Sequence, residues 1–317
     1  MIITDYLRPT PDPTWYIARE CGVKAATIRL PENNFDVTDR AQITDVMRKF
    51  SAFGFVPTIV EPLPNELHDH IKLGDKERDE CIEKFIALLK NLHETTVNTI
   101  CFNFMAHYGW TRTSSDIPER GNARVTGFRI SDFRDDGFSL PAEKVWKNYD
   151  YFIKAVIPYA EKYEIKLALH PDDPPISSLG KVGRIFTSLE SIKKGISIVN
   201  SDFLGVTFCQ ACYHLMGENL ENAVSALANK IFFIHFRNVA GTKTDFRETF
   251  HDNGEISMAD VMKIYRDHGI DCPIRVDHVP TMSGEKKDVP GYDALGRLFA
   301  IGYLKGILES TFGEKFR

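Results

Sequence analysis

Short apolar runs alternate along the chain with longer segments whose apolar residues recur every third or fourth position. The runs cover residues 2–7, 25–30, 55–60, 99–104, 166–170, 204–209, 231–236 and 274–277. Each has the length and the β-branched or aromatic content of a strand buried on both faces. Between them, residues 38–53 place Val46, Met47, Phe50 and Phe53 at helical spacing, and residues 76–92 repeat the stripe with Cys81, Phe85, Leu88, Leu89 and Leu92. Residues 141–163 open on proline, the favoured first residue of a helix, and carry apolar side chains at 145, 149, 152, 156 and 159. Residues 188–198, 220–227, 258–268 and 295–308 complete the helical set. Eight alternations with no break in composition predict an α/β chain folded as a (β/α)8 TIM barrel, one domain over residues 1–317, rather than a doubly wound sheet.

The longest interruption, residues 105–140, follows the fourth strand. It is rich in Arg, Asp, Ser and Gly and holds Trp110, Arg112, Arg120, Arg124 and Arg129. Inserted loops at the C-terminal face of a barrel commonly act as lids. A solvated excursion is the plainer alternative.

Composition narrows the class. With 317 residues, 43% of them hydrophobic, the chain can bury a large core. A net charge of −5 and a pI near 6.1, with no basic stripe, argue against a nucleic-acid partner. No apolar run approaches the ~18 residues that span a membrane. The N-terminus lacks the basic and apolar regions of a secretory signal. Cysteines 21, 81, 101, 209, 212 and 272 are scattered, as reduced thiols are, and a cytoplasmic setting is expected.

Four of the runs end on residues that bind metals. LALH closes on His170, GVTFC on Cys209, FFIH on His235 and IRVD on Asp277. These are the fifth to eighth strands, and parallel strands bring their C-terminal ends to one face. Two imidazoles, a thiolate and a carboxylate then converge on one divalent cation, with Mn²⁺, Fe²⁺, Co²⁺ and Zn²⁺ all compatible. Cys212 forms a Cys-x-x-Cys with Cys209 but has no second pair, so it is read as a bystander on the following helix. His278, directly after Asp277, reaches the rim as an acid or base, or stays a supporting histidine. Tyr292 lies in a Gly/Pro-punctuated loop where a nearby cation would favour proton transfer; packing is its plainer role. Arg237, two residues past His235, suits a substrate carboxylate or a structural salt bridge. His251, in a turn ending Asn-Gly, is either a rim contact or part of a plain turn.

Several segments together resemble the D-mannonate dehydratase family. They include LALHPDDPP (167–175), GVTFCQ (205–210), FIHFRN (233–238), FHDNG (250–254), RVDHVPTM (275–282) and PGYDALGRLFAIGYLK (290–305). IKLG (71–74), CFNFM (101–105) and WTRT (110–113) add to the match. The resemblance implies a (β/α)8 barrel related to metal-dependent sugar isomerases, and dehydration of D-mannonate to 2-keto-3-deoxy-D-gluconate with Mn²⁺ or Fe²⁺. It implies His170, Cys209, His235 and Asp277 as ligands and His278 with Tyr292 as the proton-transfer pair. Asn103, within CFNFM, joins Arg237 and His251 as an expected contact to a small sugar acid, and a homodimer is the implied assembly. The first sixty residues depart from the pattern. Asp5-Tyr6-Leu7-Arg8 stands where Arg-Trp-Tyr-Gly is expected, which makes Arg8 or Arg29 the candidate replacement for the missing arginine. A metal-dependent sugar isomerase or epimerase, and a non-catalytic sugar-acid binder, are the alternatives.

Overall fold

A computed structural model, describing residues 1–286 and 289–313, closes eight parallel strands into a barrel. The strands are Ile2–Leu7, Ala25–Ile28, Val56–Val60, Thr99–Phe102, Lys166–Leu169, Leu204–Cys209, Ile231–Phe236 and Pro273–Val276. They neighbour one another in chain order, and the first returns to pair with the last, Ile2 opposite Pro273 and Ile3 opposite Ile274. Closure leaves no free edge, so the backbone polar groups of the barrel are paired around the whole ring. Every residue of Leu204–Cys209 and Ile231–Phe236 is buried, which is why their sequences are unbroken apolar runs.

The helices pack outside through single apolar stripes. Ala142–Lys162 buries Val145, Tyr149, Phe152, Ile153, Val156, Ile157 and Ala160. Arg40–Ala52 starts where the Asp39 side chain accepts from the amides of Ala41 and Gln42, and it buries Ile43, Val46, Met47 and Phe50. Trp15 stacks on Phe50 at 4.3 Å and meets Phe53 and Phe55 edge-on, sealing the first helix to the second. Among the described residues, no helix is long and apolar enough to cross a membrane.

Three differences from the sequence reading bear on the site. The fifth and eighth strands stop at Leu169 and Val276, one residue short of His170 and Asp277. Pro171 has no amide hydrogen to continue a ladder, and His278 takes a left-handed φ of 42°, so the chain is already turning at both places. Helix Asn65–Leu73 escaped detection because His68 and Lys72 are buried along with Leu67 and Ile71, which blurs the apolar stripe. The insertion after the fourth strand is not an irregular loop. Its segments Ser114–Pro118 and Arg124–Arg129 join Asp245–Glu248 and Val239–Thr242 in a four-stranded antiparallel sheet beyond the seventh strand's end. Lys287 and Asp288, in the loop that carries Tyr292, lie outside the described residues.

Candidate active site

His170, Cys209 and His235 meet at the C-terminal mouth of the barrel, with one ligand atom from each within 4.8 Å of the others. The Nδ1–H of His170 donates to the Pro171 carbonyl at 2.6 Å, which fixes the tautomer and leaves Nε2 with a bare lone pair. His235 is fully enclosed. Its Nε2 lies 3.0 Å from a Glu61 oxygen and its Nδ1 3.4 Å from Asp277 Oδ2. Neither contact has hydrogen-bond geometry, so both ring nitrogens lack a hydrogen-bond partner; against burial and Arg275, the charges of Glu61 and Asp277 raise the imidazole well above its ordinary value. Burial by itself raises a thiol, yet the Cys212 hydrogen bond, the Arg237 charge and the two imidazoles hold Cys209 well below the ordinary thiol range. Burial, with the Cys209 thiolate beside it, pushes Cys212 well up. A thiolate beside two imidazoles, one with no hydrogen bond on either buried nitrogen and with the carboxylates of Glu61 and Asp277 close by, is a donor set that fits a divalent cation. Asp277 stands beside this trio rather than within it, contacting it through His235. Burial would neutralise Asp277, but Arg275, His278 and His235 hold it ionised, well below the usual carboxylate range.

Arg275 organises the opposite side. It bonds both oxygens of Glu61 at 2.8 and 3.0 Å and Asp277 Oδ1 at 2.8 Å. The Tyr292 hydroxyl donates to the same Asp277 oxygen at 3.1 Å. The His278 ring lies 5.1 Å from that of Tyr292, and its face is covered by Trp110, stacked 5.0 Å away at 10°. Burial pushes His278 down to about 4 and Tyr292 well up, so one is a neutral imidazole and the other keeps its phenolic proton.

The expected substrate contacts divide. Asn103 lines a cavity of about 450 Å³ together with Tyr6, Arg8, Arg29, Glu61, Trp110 and the candidate ligands His170 and His235. Arg237 does not line it. Its guanidinium is wholly buried, bonded to Asp173 at 2.9 Å and to both oxygens of Glu248 at 2.7 and 2.8 Å. Arg112 closes the ring with 2.8 Å to Asp173 and 2.7 Å to Glu248, and its guanidinium lies 4.5 Å over the Trp110 ring. The salt-bridge alternative for Arg237 is therefore the one its surroundings support. His251 is also off the cavity wall: its Nε2–H donates to the Phe236 carbonyl at 2.8 Å and its ring stacks on Phe236. Glu61 and Arg275 went unnoticed in the sequence. An arginine inside an otherwise apolar strand, two residues before Asp277, was the available signal.

Burial depresses His251 to about 4 from an ordinary 6.5. Its folded-state value lies below its unfolded one, so its contribution is intact above pH 6.5 and is lost as pH falls towards 4. The expected loss grows below pH 6.5 and reaches about 3 kcal/mol only once pH has fallen to the folded-state value. Urea midpoints should drop between pH 7 and pH 5, with a shallower drop in His251→Gln. Equal slopes in both proteins would remove His251 from this account.

Known proteins resemble this chain in sequence and in fold. The D-mannonate dehydratase (UxuA) family profile matches residues 16–139 and 138–317. Mannonate dehydratases of Streptococcus uberis and Streptococcus agalactiae serotype III are 32% and 33% identical, each alignment covering 92% of this chain and 91% of the relative. The crystal structure of mannonate dehydratase from Streptococcus suis superimposes with a TM-score of 0.90 at 26% identity, covering 98% of this chain and 95% of that one. A D-psicose 3-epimerase shares only the fold, at a TM-score of 0.63 and 11% identity. A barrel of this shape, matched over nearly its whole length, places the chain in the D-mannonate dehydratase family.

Proposed function

We propose that the protein dehydrates D-mannonate, or a close aldonate, to 2-keto-3-deoxy-D-gluconate. Its metal is Mn²⁺ or Fe²⁺, held by His170, Cys209, His235 and Asp277. The observation that carries this reading is the meeting of a thiolate and two imidazoles beside Asp277, with His278 and Tyr292 on the same wall. It is supported by membership of a hydro-lyase family, whereas the epimerase alternative has only the fold behind it.

Dehydration of a 2,3-dihydroxy acid removes the proton on C2 and expels the hydroxyl on C3. The C2 proton is weakly acidic because negative charge develops beside an existing carboxylate. A bound divalent cation supplies Lewis-acid stabilisation of that charge. His278 is neutral, so its imidazole accepts the C2 proton. Tyr292 retains its proton and delivers it to the departing C3 oxygen, since hydroxide leaves poorly unaided. Asp277 orients that phenol through the 3.1 Å hydrogen bond, and Trp110 holds the His278 ring plane and screens it from water. The resulting enol tautomerises to the 2-keto-3-deoxy acid.

Mn²⁺-reconstituted protein incubated with a panel of aldonates should yield a keto acid lacking the C3 oxygen. Isomerised sugar acids alone, or binding without consumption, would overturn the proposal. Cys209→Ser is expected to lower metal content after dialysis against a weak chelator by an order of magnitude or more, because a serine hydroxyl does not ionise as the thiolate does. Unchanged stoichiometry would remove Cys209 from the ligand set. The family resemblance also supports a homodimer, which sedimentation tests directly.

A further inference from the structure

We propose that Glu61 is a positioning residue of the metal centre. It holds the Nε2–H of His235, so that His235 and His170 offer a cation opposite ring nitrogens, Nδ1 and Nε2 respectively. The inference rests on the metal-dependent reading of the site and adds to it how one ligand is oriented.

The two nitrogens of His235 meet different surroundings. Nδ1 lies 3.4 Å from Asp277 Oδ2, and Nε2 lies 3.0 Å from Glu61 Oε1. The second separation is a hydrogen-bond length with the oxygen off the N–H line, which a turn of the ring about its Cβ–Cγ bond corrects. His235 is buried, so an N–H left unmatched there carries its desolvation cost in full.

Asp277 shows which side of the ring faces a cation. Its Oδ1 accepts from Arg275 at 2.8 Å and from the Tyr292 hydroxyl at 3.1 Å. Oδ2 receives neither bond, and it is the oxygen that Nδ1 faces. His170 is arranged the other way, because its Nδ1–H is given to the Pro171 carbonyl and Nε2 is the donor left.

Glu61 is fixed for this task by groups other than His235. Arg275 grips it twice, with Nε on Oε2 at 2.8 Å and Nη2 on Oε1 at 3.0 Å. The Cys101 thiol donates to Oε1 at 3.4 Å, and the Thr207 hydroxyl donates to that sulfur at 3.1 Å. All four side chains are buried. A carboxylate so enclosed sets the tautomer of a neighbouring imidazole and makes its other nitrogen a stronger donor to a metal. Arg275 thereby orients two ligands at once, Asp277 directly and His235 through Glu61. Glu61, Cys101 and His235 also have donor atoms within 4.8 Å of one another, as a second cation site would. The guanidinium opposes that use, since both Glu61 oxygens already serve Arg275 and a cation there would meet like charge.

The test is ¹⁵N NMR of histidine-labelled protein loaded with ¹¹³Cd²⁺, a diamagnetic cation that binds thiolates, alongside chelator competition for Zn²⁺. One cadmium per chain is expected, coupled to Nε2 of one histidine and to Nδ1 of another that keeps a hydrogen-bonded Nε2–H. In Glu61→Gln the side-chain amide must turn its N–H groups towards either Arg275 or His235. The Nε2–H signal should then shift or vanish, and Zn²⁺ should bind roughly 10–100-fold more weakly, the usual cost of losing such an outer partner. Coupling through Nε2 of both histidines would overturn the inference, and the unmodified protein alone decides that point. A second cadmium per chain would overturn it too. So would a Glu61→Gln variant with a lowered urea midpoint but unchanged affinity and Nε2–H signal, because Glu61 would then be structural only. Cadmium coupled to neither histidine would count against the metal-centre reading, and the inference would fall with it. A bound cadmium on the wrong nitrogen would count against this inference alone.

Discussion

His278→Asn is expected to cut turnover by roughly 10²–10⁴-fold, the usual contribution of a positioned proton-transfer group. Metal content should stay unchanged. Asparagine keeps a polar side chain of similar reach beneath Trp110 but has no lone pair basic enough to take the C2 proton. Tyr292→Phe should lose comparable activity, because it deletes the proton that the departing hydroxyl needs and leaves the ring packing on Tyr6 and His278 in place. The two variants are distinguishable. If His278 takes the C2 proton, exchange of that hydrogen with deuterated solvent should vanish in His278→Asn and persist in Tyr292→Phe. Near-normal rates in both variants would sink the assigned chemistry, and exchange lost in Tyr292→Phe alone would reverse the two roles.

The second large effect belongs to a residue that does not line the cavity. Arg237→Met is expected to destabilise the fold by about 3 kcal/mol or more, the cost of breaking a buried ion pair from one side. Asp173 and Glu248 would keep Arg112 as a shared partner but lose the charge that Arg237 supplies to each. Cys209 would suffer too, because Arg237 approaches its sulfur at 3.5 Å and helps hold the thiolate. Urea denaturation and metal stoichiometry measure the two consequences separately. Were Arg237 a substrate contact instead, the variant would unfold at the wild-type midpoint and show only a raised KM. Pairing Arg237→Met with Glu248→Met should recover part of the lost stability, since one stranded carboxylate is removed as well.

This network shows what connects the inserted segment to the chemistry. Arg112 comes from the insertion, Asp173 from the loop after the fifth strand, Arg237 from the end of the seventh strand and Glu248 from the hairpin that follows. Their mutual pairing seats Arg112 over Trp110, and Trp110 in turn lies flat on His278. The insertion therefore contributes a wall of the site held by buried charge, rather than a loose cover over it.

Much of the protein was legible in its residues. Strands buried on both faces are written as uninterrupted apolar runs, and helices packed on one side as stripes, so the eightfold alternation and the barrel could be read directly. The candidate ligands His170, Cys209, His235 and Asp277 stand at or within one residue of strand ends, and parallel strands deliver their ends to a common face, which is why a shared site could be expected from the sequence. Other features depend on contacts between residues far apart in sequence, and no local pattern encodes those. The pairing of Glu61 with Arg275 spans 214 positions, and the bond from Arg112 to Glu248 spans 136. Whether Arg237 faces a substrate or a pair of carboxylates is decided by which charges the closed barrel brings to it.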